Sequence, residues 1–237
     1  MARAASDEDG WIGMTAQTVR KLDRIPRRRV DKFEERRAEL AQAAIQTLAE
    51  LGYARTSLRD IAENSAFTHG VLHYYFTDKV DLILCSVRQY KARCVTRYDQ
   101  AIAQAQTGEA LVESFLERLG ETLRDEADLH RLWYDIRAQA FFEAAFRADV
   151  AEIDKSLEDM IGRIVDRLAT LTGMPTPLPI PLLYAMIDGI FQQSLLKHIS
   201  GDAHAVEQLK SDVRLMLSKL AGRVIQDEVF QPRVVPA

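Results

Sequence analysis

One stretch limits what this chain can become more than any other: Thr56 to Leu82, TSLRDIAENSAFTHGVLHYYFTDKVDL. It holds two short apolar-periodic segments, and helices that short are marginal in water unless they pack against something else. Leu58, Ile61 and Ala62 give the first an inward face, and Phe67 and Leu72 do the same for the second. Ser65-Ala66-Phe67 reads as the turn between them, with Ala66 small where the two helices approach. Phe76 plugs the junction to the next helix. Thr56 is the N-cap candidate of the first segment, and Thr68 starts the second. The pattern predicts a helix-turn-helix.

The flanking sequence supplies the support such a motif needs. From Phe33 to Leu51, Leu40, Ala44, Ile45, Leu48 and Leu51 share one helical face, and Gly52 is the expected stop. Thr77-Asp78 caps a long helix expected from Lys79 to about Ala105. Beyond residue 106 the three-and-four spacing predicts five more helices, at about 108–124, 126–145, 147–172, 181–200 and 203–227. Pro175, Pro177, Pro179 and Pro181 alternate at the clearest break, where no helix can continue. No strand pattern competes, so the expected class is all-α. A three-helix DNA-binding unit over 33–82 would precede a larger helical domain over 83–228. A basic arm over 1–32 and a tail over 229–237 would flank them.

Net charge is −4 over 237 residues, which argues against a nucleic-acid partner until its distribution is read. Residues 20–91 carry 14 Lys/Arg against 10 Asp/Glu, whereas residues 92–237 carry 16 against 22. The basic end suits phosphate binding confined to one part of the molecule. The arm holds Arg27-Arg28-Arg29 after Pro26, and whether it contacts DNA or is a tail without a role stays open. Two cysteines, Cys85 and Cys94, are too few for a disulfide framework, so a reducing cytoplasm is expected. No apolar run approaches a membrane span.

From Arg36 to Leu82 the sequence resembles the TetR family of transcriptional regulators. The resemblance rests on LAELGYARTS, LRDIAENSAFT and above all GVLHYYFTDKVDL. Two positions depart from that pattern: Ala66 stands where the family usually has Gly, and His73 where Tyr is common. The resemblance implies DNA contacts at Thr56, Thr68, His69, Gly70, Val71, His73, Tyr74, Tyr75 and Lys79. Of these, Thr56, Tyr74, Tyr75 and Lys79 would meet phosphates, and His69, Val71 and His73 would meet base edges. His69 and His73 also have metal-ligand spacing, but no third ligand accompanies them, and no metal or other cofactor is expected.

The resemblance further implies dimerisation through the last two long helices, with Ala185, Gly189, Leu196, Ile199, Val206, Leu209, Val213 and Leu217 in the interface. Residues 129–150 are similar to the choline-responsive repressors of betaine synthesis, without fixing the ligand. Trp133, Tyr134, Arg137, Phe141, Phe191 and Gln192 are the candidates for lining an effector cavity. Arg137 is equally suited to pairing with Asp135, Glu143 or Asp188. The function so implied is a homodimeric repressor on a pseudo-palindromic operator, released by a small molecule. An activator or a nucleoid protein without effector is the alternative. A helical-bundle enzyme lacks its inventory: no Glu-x-x-His pair, phosphate-binding Gly loop or supported triad is present.

Overall fold

The computed structural model describes the backbone of residues 16–221 and the side chains of residues 32–219. Ten α-helices succeed one another: α1 (Ala16–Leu51), α2 (Leu58–Glu63), α3 (His69–Tyr75), α4 (Lys79–Thr96), α5 (Asp99–Gln104), α6 (Gly108–Asp125), α7 (Ala127–Gln139), α8 (Arg147–Thr172), α9 (Ile180–Ile199) and α10 (Ala205–Ala221). A 3-10 turn, Ala144–Phe146, precedes α8. No strand occurs among the described residues, so the chain is all-α.

Three boundaries differ from expectation. First, α1 begins at Ala16, so the backbone over 16–30 is helical rather than irregular and runs through Pro26. Second, the long helix from Lys79 stops at Thr96. It breaks there because Tyr98 turns into the core, 5% exposed and with its ring 5.2 Å from Phe115, while Arg97 is held by Glu126 at 2.5 Å. Third, the helix expected over 126–145 ends at Gln139. The Tyr53 hydroxyl donates to Glu143 at 3.1 Å, and Phe146 packs edge-on against the Tyr53 ring. That tie gives Phe146 the buried slot and leaves Phe141 and Phe142 81% and 83% exposed. The expected tail over 229–237 lies outside the described residues.

The C-terminal part of α1 carries a buried stripe of Leu40, Ala41, Ala44, Ile45 and Leu48, against which α4 lies. Gly52 ends the helix at φ 77°, a left-handed conformation that glycine adopts without penalty. α2 and α3 complete the small unit. The α2 cap is Ser57 rather than Thr56. Its hydroxyl accepts from the Asp60 N–H, and Asp60 accepts in return from the Ser57 N–H at 2.7 Å. Thr56 itself is buried and donates to the Gly52 carbonyl at 2.7 Å. α4 then leaves the small unit and enters the larger one. There it packs on α8, and α9 packs on α7, α8 and α10.

Tyr53 joins the two units. Its N–H donates to Asp135 at 2.9 Å, its hydroxyl to Glu143, and its carbonyl accepts from the Lys79 ammonium at 3.0 Å. Arg131 adds a bond to the Ala49 carbonyl at 2.7 Å. The end of α1 is thereby fixed to α7 of the larger unit as well as to α4.

Candidate nucleic-acid interface and effector cavity

α3 is the most exposed helix of the small unit, yet it is firmly seated. Leu72 is fully buried, and Phe76 closes the C-terminus at 1% exposure. Thr68 caps the start through its hydroxyl, which accepts from the Val71 N–H. At the far end the Arg37 guanidinium lies 4.6 Å above the Phe76 ring, donates to the Tyr75 carbonyl at 2.6 Å and pairs with Asp81 at 2.7 Å. One side chain of α1 therefore holds the C-terminus of α3 and the start of α4. Sequence alone does not single out Arg37; its spacing to Asp81 spans 44 positions, which no local pattern reveals.

The outward face of α3 consists of His69, Gly70, His73 and Tyr74. The two imidazoles touch, with Nε2 atoms 3.1 Å apart, and Tyr74 is 72% exposed. A Cβ placed on Gly70 would meet nothing within 4 Å. The lack of a side chain there serves no contact within the chain, so it leaves room for something outside. Val71 is half-buried against the core. Tyr75 is half-buried too, with its ring stacked 4.9 Å from Phe33. Ala66 is exposed rather than wedged between helices, and no non-glycine residue among those described has positive φ. Alanine in the turn is thus unstrained.

The larger unit holds a partly open cavity of about 70 Å³ between α4, α6, α7, α8 and α9. Trp133 (1% exposed) and Phe191 (5%) line it, with Tyr134, Tyr98 and Met160. Lys91, on α4, is 2% exposed inside it, its ammonium 5.0 Å from the Trp133 ring and 3.4 Å from His130 Nδ1. Burial pushes Lys91 down to about 8, with Cys94 and Asp188 opposing the shift. Burial first, then Lys91 and Arg97, hold His130 well below the usual histidine range, so its ring is neutral. Cys94, Glu126 and His130 bring donor atoms within 4.8 Å of one another, a grouping not anticipated from the sequence. Glu126, however, already accepts from Arg97 at 2.5 Å and Tyr90 at 2.7 Å. Two basic side chains at this spot oppose a metal cation.

Residues 40–84 match the family model described as bacterial regulatory proteins, tetR family. The match covers the end of α1, the helix-turn-helix and the start of α4. Over 166 residues it is 25% identical to the HTH-type transcriptional repressor AcnR of Corynebacterium diphtheriae, covering 70% of this chain and 82% of that protein. A TetR transcription regulator from Haloarcula marismortui superposes with a TM-score of 0.65 at 19% identity, covering 78% of this chain and 98% of that one. FadR of Bacillus subtilis, solved with stearoyl-CoA, gives 0.62 at 17% identity, over 78% and 97%.

Within this fold, several of the expected contact residues are bonded inside the chain. Thr56 is spent on Gly52, and Lys79 is turned inward, its ammonium 4.1 Å from the Tyr53 ring and bonded to the Tyr53 carbonyl. Arg55 and Arg59 are the exposed basic groups beside α3, with Arg59 paired to Glu63 across one turn. Their signal is present in the sequence as charge at the start of α2, although the family pattern points to other positions. Of the cavity candidates, Trp133, Tyr134 and Phe191 line the void. Phe141 and Gln192 are exposed and do not. Arg137 is paired with Asp188 at 2.5 Å and Asp154 at 3.3 Å, so it braces α7 against α8 and α9.

The candidate interface residues divide as well. Leu209 and Val213 are fully buried, and Val206 is 9% exposed: they pack within the chain, α10 lying against α6 and α9. Leu217 is half-buried. Ala185, Gly189, Leu196 and Ile199 remain on an open face of α9, beside Leu182 and Met186.

We expect Gly70→Ala to preserve or slightly raise thermal stability, since alanine favours a helix over glycine by about 1 kcal/mol and the site is open. The same change should weaken operator binding roughly 10-fold or more, a loss of about 1.4 kcal/mol or more, by blocking close approach of the backbone. Paired melting and fluorescence-anisotropy measurements check both halves.

Proposed function

We propose that this protein is a homodimeric transcriptional repressor of the cytoplasm that leaves its operator when a small molecule fills the cavity of the larger unit. The observation that carries the reading is α4, which starts under the helix-turn-helix at Lys79 and brings Lys91 and Cys94 into the cavity wall. Lys91 lies 12 positions along this helix, about 18 Å at 1.5 Å per residue. Whatever binds against Lys91 pushes directly on the element that sets the height of α3. In a dimer, two α3 helices would enter successive major grooves about 34–36 Å apart, and a tilt of α4 spoils that spacing. The effector shifts the equilibrium only by its difference in affinity between the two states.

His69, His73 and Tyr74 are the proposed base and phosphate contacts, with Gly70 admitting the backbone and Thr68 at the helix start. Val71 and Tyr75 act from behind this surface through packing. Dimerisation through α9 has its support in Leu182, Met186, Leu196 and Ile199, which stand between 36% and 58% exposed along that helix. No described helix is long and apolar enough to cross a membrane.

A His73→Ala/Tyr74→Ala double variant tests the reading head. Its operator affinity should fall by roughly 30-fold or more, about 2 kcal/mol, for two lost contacts. Its dimer mass and melting temperature should stay near those of the parent, because both side chains are exposed. Undiminished affinity would remove α3 from the interface.

A further inference from the structure

Two buried donors that line the inner cavity of the larger unit, on His130 and Trp133, have no acceptor. The Lys91 ammonium lies 3.4 Å from His130 Nδ1, and an ammonium only donates, so the imidazole nitrogen accepts. The other ring nitrogen, Nε2, then carries the proton. It is buried and has no partner, and the same is true of the Trp133 indole N–H. The only acceptor found for Lys91 among the described residues is that one imidazole nitrogen. The three carboxylates nearest in effect are occupied elsewhere: Glu126 holds Arg97 and Tyr90, Asp188 holds Arg137 and Tyr134, and Asp154 holds Tyr184 and Arg137. Buried donors without acceptors are costly, and a buried ammonium with no carboxylate bonded to it more so.

The void these groups face is not isolated. It shares Phe115, Ile161 and Ile187 with a narrow gap of about 20 Å³ whose walls are wholly aliphatic and aromatic. That gap in turn shares Val112, Val165, Leu168 and Leu217 with a groove of about 600 Å³ between α6, α8, α9, α10 and residues 174–177. Along α8 the row runs from Ile161 in the inner void to Thr172 in the groove, about 16 Å at the helical rise. The inner void is polar on one side and large enough for several waters, hence for a small anionic group. The gap suits a methylene chain.

We propose that the effector is an aliphatic carboxylate. Its head group sits between Lys91, His130 Nε2 and Trp133 Nε1, and its chain runs through the apolar gap into the groove. This rests on the effector-released repressor reading and names the chemistry of its ligand. The carboxylate supplies the missing acceptors and gives Lys91 a directly bonded partner of opposite charge. A quaternary ammonium is disfavoured there because the Lys91 ammonium already lies 5.0 Å from the Trp133 ring, the aromatic face such a group would need.

The test uses the full chain with dodecanoate, butyrate and dodecyltrimethylammonium, each below its micelle concentration. Affinity is read by quenching of indole fluorescence, and operator release by anisotropy. Dodecanoate should bind at least 10-fold more tightly than butyrate and should release the operator. Lys91→Met should weaken dodecanoate at least 10-fold while still binding operator, since a similar-sized apolar side chain replaces an unpaired buried ammonium. Val165→Phe, which narrows the gap, should weaken dodecanoate and leave butyrate unchanged. Equal binding of dodecyltrimethylammonium, or full dodecanoate affinity in Lys91→Met, overturns the assignment. If dodecanoate fails to bind a protein that still binds its operator, the carboxylate falls and the repressor reading stands. A chain that binds no operator at all sinks that reading itself.

Discussion

Replacing Leu196 with arginine is expected to turn the protein into a monomer and to weaken operator binding by roughly 10²–10⁴-fold, the range set by losing a tethered second binding unit. Leu196 is 58% exposed near the C-terminal end of α9, and Leu182, Met186 and Ile199 add further exposed apolar surface to that helix. A Cβ on Gly189, between them, would meet nothing within 4 Å, so the chain leaves a shallow recess at the centre of the face. An apolar face on a long helix, interrupted by small residues at Ala185 and Gly189, fits a second helix laid across it. A partner copy placing the same face there buries both at once, as two-fold symmetry requires. Arginine at position 196 would put two like charges into the crossing and leave them unpaired.

The control is Leu209→Ala on α10. Leu209 is fully buried inside one chain, so its truncation should cost about 2–5 kcal/mol of stability and leave the dimer mass unchanged where the protein is still folded. Analytical ultracentrifugation and melting separate the two variants. A monomer that keeps full operator affinity, or a Leu196→Arg dimer, would remove α9 from the interface.

The contrast between these two leucines shows what the sequence can and cannot say. Helical spacing marks Leu196, Leu209 and Val213 alike as apolar stripe positions. It does not say whether the stripe faces its own chain or a second copy, because both are equally dry. The helix-turn-helix is legible because its parts are local: Leu58, Ile61, Phe67, Leu72 and Phe76 lie within twenty positions. The expected cap misses the true one by a single residue, since Thr56 and Ser57 are chemically alike and only the Asp60 reciprocity separates them. Lys79 looks outward in the sequence because its partner is a backbone carbonyl, which carries no side-chain signal. Lys91 escapes notice for a related reason. A lysine at the fourth turn of an amphipathic helix is ordinarily solvated, and only the packing of α8 on α4, with His130 and Trp133 of α7 against the ammonium, buries it.

Phe76→Ala should have the largest effect on stability of any single change in the small unit, about 3–5 kcal/mol, the usual range for emptying an aromatic core site. The ring is 1% exposed and sits where α3 ends and α4 begins, so the void cannot collapse without moving one of them. The loss extends beyond transfer. Arg37 rests on that ring at 4.6 Å while bonding the Tyr75 carbonyl and Asp81, so the guanidinium loses its platform as well. Burial would raise the Asp81 pKa, but Arg37 and the Thr77 N–H outweigh it and hold the carboxylate below its ordinary range. A depressed carboxylate stabilises the fold above its unfolded pKa, and that contribution is lost as pH falls through the lower folded value. The wild-type small unit should therefore keep this pair at any pH near neutrality and lose it only in acid, below the usual carboxylate range. In Phe76→Ala, operator binding should disappear at temperatures where the α6–α10 body remains helical, because the body keeps its own core of Phe115, Leu116, Trp133 and Phe191. Hydrogen exchange resolved by segment reads this directly: amides of α2 and α3 should exchange rapidly while those of α8 stay protected. Uniform loss of protection along the chain would mean that the two units unfold as one, and that the Tyr53 joint is stronger than the core it connects.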